Sequence, residues 1–259
     1  MYVESSSLGN VTLSGDEVLP NPTVDQEFTD IAEYSRFKFG DGGVSQKYGV
    51  LLGELACTTQ DEVLVASSAY RTAPPASESL VLPFVNTVHS RLSAKFAPFK
   101  ISKAKLATDN YASLSFDERA QTLQNDLILP ADIDFTGKHV IILDDIRVTG
   151  LREAALERLF DSVGVASATF HYVLDVPEGK RFPQTEAAIN IRAVESIEDV
   201  IALAQKPDFI PNVRLCKFII SRNLADLEIF CSSVSKSVAK TVVEYIRADN
   251  LEEVVRAIP

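Results

Sequence analysis

Short apolar, β-branched runs alternate with longer amphipathic segments along most of this chain. An apolar run of about four to eight residues is typical of a buried strand, and a repeat of about 3.6 residues is typical of a helix. These patterns predict strands at 62–67, 100–106, 139–143, 165–174, 187–193 and, from its apolar and β-rich character, 213–221. They predict helices at 24–34, 44–57, 79–92, 151–163, 196–204, 223–247 and 250–258. Strands that alternate with helices indicate an α/β fold with a largely parallel sheet covered on both faces.

The alternation is weakest at the start of the chain and in one internal stretch. Residues 1–24 predict a short hairpin or arm, and residues 108–130 mix helical and loop character. The resulting organisation has three parts: an N-terminal arm and helix at 1–33, a core at 34–180, and C-terminal strands and helices at 181–259. The third part is expected to complete the core, to form a cap over a site, or to form an oligomer interface such as that of a homodimer.

The segment at 139–150 carries the clearest chemical signal. Its buried strand ends in two adjacent acids, Asp144 and Asp145, and a short loop with Thr149 and Gly150 then leads into a helix from Leu151. Ligands of open α/β sheets bind at the C-terminal ends of strands, and a helix N-terminus there offers backbone N–H groups to a phosphate. Two carboxylates at a strand tip are expected to face solvent, to repel each other, and to take ribose hydroxyls or a metal ion. The segment therefore predicts a site for a phosphorylated sugar.

Composition and charge exclude several other classes of protein. The net charge of −11 argues against direct binding to nucleic acid or to an anionic membrane. Three cysteines that are far apart in sequence argue against a disulfide framework and a cysteine zinc site. No apolar run approaches the ~20 residues that span a membrane, and the first residues lack the basic start and apolar stretch of a signal peptide. We therefore expect a cytoplasmic protein.

The segment at 139–150 resembles the phosphoribosyl-pyrophosphate (PRPP) motif of type I phosphoribosyltransferases. The matching positions are Asp144, Asp145, Ile146, Thr149 and Gly150. Two positions depart from the motif, because Val148 stands where the first Ser or Thr is usual and Arg152 stands where a later Thr is usual. The resemblance implies a mostly parallel, twisted sheet flanked by helices, with a hood over the site.

Three other segments resemble the ComF-like subgroup of that family and occur in the family's order. They are Lys38 with the Phe-Gly-Asp that follows it, the loop with Tyr70 and Arg71 after the 62–67 strand, and a stretch that ends in Glu118 and Arg119. In the family the third stretch belongs to the hood, for which Lys103, Lys105 and Arg119 are the basic candidates here. The resemblance covers roughly residues 34–175.

The resemblance implies transfer of the 5-phosphoribosyl group from PRPP to a nitrogenous small-molecule acceptor, with release of pyrophosphate. The implied catalytic residues are Asp144, Asp145, Arg71 and Arg119. The implied substrate-binding residues are Ile146, Arg147, Val148, Thr149, Gly150, Leu151, Arg152, Tyr70, Lys38 and Lys105. Mg²⁺ is the implied cofactor, held by Asp144 and Asp145 directly or through water.

Some alternatives stay open at the level of sequence. Purine-salvage relatives carry an acid where this chain has Val148, which disfavours a 6-oxopurine acceptor. Arg147 and Arg152 either add positive charge to the phosphate site or point to solvent. The protein is an enzyme, or it is a PRPP- or nucleotide-sensing regulator that kept the fold and lost turnover. A nucleotide hydrolase on the same scaffold is a third reading.

Overall fold

A six-stranded sheet forms the centre of the protein. The computed structural model describes residues 1–13, 23–24, 30–104, 121, 123–179, 185–222 and 224–251. The strands of the sheet are β1 (Tyr2–Thr12), β2 (Thr23–Val24), β3 (Glu62–Ser67), β4 (Lys95–Pro98), β7 (His139–Arg147) and β8 (Ser167–Asp175), in the spatial order β2-β1-β8-β7-β3-β4. All neighbours are parallel except β1 and β2. The predicted fold class is confirmed.

The first strand belongs to the central sheet, whereas the sequence predicted a short hairpin or arm over residues 1–24. β1 runs parallel to β8, with Tyr2 opposite Ser167 and Asn10 opposite Asp175. Only its end forms an antiparallel pair, where Val11 and Thr12 face β2. This strand contains the polar residues Glu4, Ser5, Ser6 and Ser7. A search for apolar runs therefore does not detect it.

Helices cover both faces of the sheet, as the near-continuous apolar strands require. One face packs against α1 (Ile31–Lys38), α2 (Gly42–Leu55), a 3-10 turn (Ala76–Leu80) and α3 (Val81–Arg91), which bury Phe37, Tyr48, Leu52 and Phe84 against Val65 and Ile141. The other face packs against α4 (Leu151–Ser162), which buries Leu156 and Phe160 against Val140 and Ile142. These two layers hold the C-terminal end of β7 in a fixed position.

A small ribbon stands beside the sheet on the path from β4 to β7. It consists of β5 (Ser102–Lys103) and β6 (Leu127–Ile128), which pair antiparallel. The strand predicted at 100–106 is thus short among the described residues. Lys105 and Arg119 lie outside the described residues, so their assigned roles stay predictions.

The regular elements of the C-terminal part are all helices within the ranges that the structure describes. Its helices are α5 (Thr185–Asn190), α6 (Ile197–Ala204), α7 (Val213–Arg222), α8 (Leu224–Ser233) and α9 (Lys236–Ala248). The strands predicted at 187–193 and 213–221 are therefore wrong. In α7 the buried residues are Leu215, Cys216 and Ile219, which is a helical spacing, and Asn212 caps the helix by accepting the Leu215 N–H at 3.0 Å. Packing of this face overrides the strand preference of its β-branched residues.

These helices form a separate apolar cluster that reaches the core through Phe39. The cluster includes Leu215, Ile219, Phe230 and Val242. No helix in the described ranges is long and apolar enough to span a membrane.

Candidate active site

The end of β7 lies in the middle of the sheet, between β3 and β8. β7 extends to Arg147, so Asp144 and Asp145 are part of the strand and are only 3% and 6% exposed. Gly150, with φ of +73°, then turns the chain into α4. This left-handed conformation explains the glycine, because a Cβ would strain it.

The two adjacent acids are each paired with a cation, which corrects the expectation that they face solvent and repel each other. Asp145 accepts a hydrogen bond from Lys38 at the end of α1, and Asp144 accepts one from Arg152 in the first turn of α4. Ser68, in the loop after β3, donates to Asp144 at 2.5 Å and accepts from Arg152 at 3.0 Å. Two elements distant in sequence, α1 and the loop after β3, thus converge with the start of α4 on the tip of β7.

The acids differ in their electrostatic environment although they are neighbours. Burial raises the pKa of Asp144; the charge of Arg152 offsets part of this rise, and the charge of Asp145 adds to it by a smaller amount. Burial acts on Asp145 as well, but Lys38 and Arg152 hold the pKa of Asp145 below its usual value. Asp145 is therefore the firmly ionised member of the pair, and Asp144 is the member whose charge depends more on a ligand nearby.

Arg147 is held in an ion pair with Glu153 and lies beside Gly150, so it does not point free into solvent. Its guanidinium donates to both oxygens of Glu153 at 2.9 and 3.1 Å, and Tyr172 donates to the same carboxylate at 2.8 Å. Glu153 is buried in the first turn of α4. This bidentate pair braces the loop at 148–150 from behind.

Two adjoining clefts open at this end of the sheet. The first has a volume of about 320 Å³ and is lined by Asp144, the whole loop from Ile146 to Arg152, Tyr172 and Glu186. The second has a volume of about 370 Å³ and is lined by Lys38, Asp145, the Ser68–Arg71 loop and residues of the C-terminal helices. Lys103, Leu123, Arg152 and Glu186 line both clefts, so the two spaces meet beside the acids.

The loop after β3 is held in place from two sides. Lys100 donates to the Arg71 carbonyl oxygen at 2.6 Å, and its ammonium lies 4.1 Å from the centre of the Tyr70 ring. On the other side Asp249, just past α9, accepts the backbone N–H groups of Thr72 and Ala73 at 3.1 and 3.0 Å. The Arg71 side chain lines the second cleft.

Comparison with known proteins gives the family of the chain. A sequence profile described as PRTase ComF-like matches residues 24–251. The chain belongs to the ComF-like phosphoribosyltransferase family. No curated protein matches it in sequence.

Solved structures similar to this ComF-like phosphoribosyltransferase are distant. A hypoxanthine-guanine phosphoribosyltransferase from Bacillus anthracis is 19% identical over 52% of this chain and 67% of its own, with a TM-score of 0.33. A hypoxanthine phosphoribosyl transferase from Trypanosoma cruzi is 17% identical over 57% and 68%, with a TM-score of 0.36. Because these values are low, the family assignment rests on the sequence profile.

Four charged residues in the C-terminal part of this ComF-like phosphoribosyltransferase line the clefts without having been predicted from sequence. They are Glu186 on α5, Arg214 and Lys217 on α7, and Asp249 after α9. All of them lie beyond the stretch in which the family motifs occur. A charged residue on an amphipathic helix gives no local signal that distinguishes a cleft from a solvated surface, so only the packing of the helices identifies them.

Proposed function

We propose that this protein transfers the 5-phosphoribosyl group of PRPP to a nitrogenous acceptor and releases pyrophosphate, with Mg²⁺ as cofactor. The observation that carries the proposal is the adjacent pair Asp144 and Asp145, held by Arg152 and Lys38 beside an open helix N-terminus. Membership of the family supports the same chemistry. That these residues bind the substrate and act in catalysis is part of this proposal.

The 5′-phosphate would bind at the loop that begins α4. The backbone N–H groups of this first turn and the positive end of the helix dipole suit a phosphate. Thr149 uses its side-chain oxygen to accept the Leu151 N–H at 3.3 Å, which leaves its hydroxyl hydrogen available to a phosphate oxygen. Arg147 would support this loop through Glu153 rather than contact the ligand.

The ribose would lie where the two clefts meet, with its hydroxyls donating to Asp144 and Asp145. As the bond from C1 to the pyrophosphate oxygen breaks, positive charge develops on the ring, and two carboxylates fixed nearby stabilise that charge. The acceptor nitrogen forms the new bond to C1, and the bonding electron pair leaves with pyrophosphate. Burial of both acids keeps them in place without reorganisation during the reaction.

The leaving pyrophosphate would enter the second cleft, where Arg71 and Lys103 have no ion-pair partner within the described part of the chain. Among those residues no three His, Cys, Asp or Glu side chains are arranged to hold a metal. Mg²⁺ usually binds one or two carboxylates together with substrate phosphates and waters, so Asp144 and Asp145 fit an ion that arrives with PRPP. When bound, that ion would neutralise charge on the pyrophosphate.

A PRPP sensor without turnover is the second candidate. The observation that favours it is that Arg152 occupies a motif position usually held by Thr and ties Asp144 to Ser68. A carboxylate already paired in this way binds a ribose less readily, which lowers turnover more than binding of the phosphate.

Thermal melting and pyrophosphate release together test the proposal. PRPP with Mg²⁺ at 100 times its dissociation constant stabilises by about 2.7 kcal/mol, and a chain of this size shifts roughly 2–4 °C per kcal/mol. We therefore expect the melting temperature to rise by roughly 5–10 °C, with a smaller rise in EDTA, and pyrophosphate to appear when the right acceptor is added. A rise without release across a broad acceptor panel supports the sensor. No rise at millimolar PRPP contradicts both.

A further inference from the structure

We propose, as an extension of the proposed function, that the acceptor is a flat, apolar nitrogen compound that carries its own negative charge. Arg214 and Lys217 on α7 would bind this charge in the second cleft. The two residues are one helical turn apart, so they lie on the same face of α7. Both line the cleft together with residues of the phosphoribosyltransferase motifs.

The first argument is the charge of the second cleft. The cations that line it are Lys38, Arg71, Lys103, Arg152, Arg214 and Lys217, and the acids that line it are Asp145, Glu186 and Asp249. Lys38 and Arg152 are committed to the acids of β7, and Asp249 is committed to the amides of Thr72 and Ala73. A protein whose net charge is −11 thus gathers an excess of positive charge at this one place.

The second argument is that the positive charge of α7 is only partly neutralised within the described residues. Arg214 has an acidic partner at 3.6 Å in Glu186, and no described acid forms an ion pair with Lys217. Burial in the cleft lowers the pKa of Lys217 most, and the charge of Arg214 lowers it further. Lys103 lines the same cleft, and burial, then the charges of Arg152 and Lys217, lower the pKa of Lys103 to about 8. Cations that disfavour one another's charge are stabilised by a bound anion.

The third argument separates the acceptor from pyrophosphate. The cleft that these cations line also has apolar residues in its lining, among them Leu127, Leu156, Val213 and Leu251. Pyrophosphate has no apolar surface to bury there, and Arg71 with Lys103 already offers it a cationic site. A ligand with an apolar ring and an anionic substituent uses both features, as small-molecule sites with apolar walls and a few placed polar groups commonly require.

The test uses two flat rings that differ in charge and are poor nucleophiles. Binding of benzoate and of benzamide is measured by ligand-detected NMR with the first substrate site saturated by PRPP and Mg²⁺. We expect wild-type protein to bind benzoate at least about tenfold more tightly, which corresponds to about 1.4 kcal/mol. The preference should fall towards unity in Lys217→Gln and in Arg214→Gln. Phenyl phosphate, measured beside benzoate, shows whether the site favours a phosphate or a carboxylate.

Lys240→Gln is the matched control, because Lys240 lies on α9, is 77% exposed and contacts only Glu244, at 3.7 Å, among the ion pairs of the described residues. It should leave the preference unchanged. Equal affinity for benzoate and benzamide in the wild type, or an unchanged preference in both α7 variants, overturns the proposal. So does a loss of PRPP affinity in Lys217→Gln as large as the loss for benzoate, since Lys217 would then bind pyrophosphate. Failure of the proposed function is distinct: PRPP then fails to bind the wild type, while the benzoate preference measured without PRPP persists.

Discussion

The tip of β7 and the C-terminal helices line the same pair of clefts, but they supply different parts of the site. β7 contributes Asp144 and Asp145 from adjacent positions, and the loop that follows it contributes a helix N-terminus. The C-terminal helices contribute single residues from separate elements, among them Glu186, Arg214 and Asp249. The contrast shows that a compact motif forms the end of the site where we place the ribose and the phosphate, whereas tertiary packing forms the end where we place the acceptor.

The two regions also depend on each other. Asn212 donates to the Lys38 carbonyl oxygen at 3.2 Å, and the Val213 N–H donates to the Pro74 carbonyl oxygen at 2.8 Å. The start of α7 therefore fixes both the segment that carries Lys38 and the loop that carries Arg71. A substitution in either region is therefore expected to affect the other through these hydrogen bonds. Variants with different expected losses of stability and turnover can measure the size of that coupling.

The largest effect is expected from Asp145→Asn at the β7 end. This change leaves the Lys38 ammonium, whose side chain is 6% exposed, with Glu186 at 3.6 Å as its remaining ion-pair partner among the described residues. Breaking a buried ion pair from one side costs about 3–5 kcal/mol, so we expect the melting temperature to fall by roughly 10 °C and turnover to be lost. Asp144→Asn should destabilise less, because the Arg152 side chain is 50% exposed.

A double-variant cycle checks the reason for that loss. Lys38→Met with Asp145→Leu removes both charges from the buried site, and we expect it to be more stable than Asp145→Asn, because no unpaired charge remains. If Asp145→Asn instead melts higher than the wild type, the two acids repel each other in the folded protein and the ion-pair account is wrong.

Sequence patterns were informative where chemistry and fold depend on neighbouring residues. The strand, the acids, Thr149, Gly150 and the following helix are contiguous, and their order alone predicts a sugar-phosphate site. The pairing of Asp145 with Lys38 joins residues 107 positions apart, so no local pattern could show that the acids are buried and neutralised. The β-branched residues of α7 suggested a strand, and its cleft-facing cations look like any solvated helix face.

Mildly acidic pH should act first on the histidines, whose ordinary pKa is about 6.5, and all three of them precede residue 172. His171 on β8 lies under Phe84 and bonds Ser6 at 2.7 Å, and burial, then the charge of His139, lowers its pKa to about 4. The unfolded chain takes up a proton below about pH 6.5, whereas folded His171 does so only near pH 4. Stability is therefore lost as the pH falls through this window, by about 3 kcal/mol in full.

Melting of His171→Gln at pH 7.5 and at pH 5 tests this origin of acid sensitivity. We expect the difference in melting temperature between the two pH values to shrink relative to wild type, and Lys240→Gln, as an unrelated surface variant, to retain the full difference. An unchanged pH difference in His171→Gln would assign the acid sensitivity to other groups. Burial lowers the pKa of His139 as well, which makes His139→Gln the next variant to examine.

The smallest effect on stability is expected from Asp249→Ala. This variant tests most directly the contact between the C-terminal helices and the loop after β3. This variant leaves the Thr72 and Ala73 N–H groups without the carboxylate that now accepts them, which costs about 1–3 kcal/mol. Because these amides follow Arg71, the loop should lose its fixed position, and turnover should fall more than affinity for ribose 5-phosphate, which has no pyrophosphate for Arg71 to bind. Asp249→Asn retains one acceptor oxygen and should recover part of both losses. Equal losses for PRPP turnover and ribose 5-phosphate binding would show that Asp249 stabilises the whole fold rather than the loop.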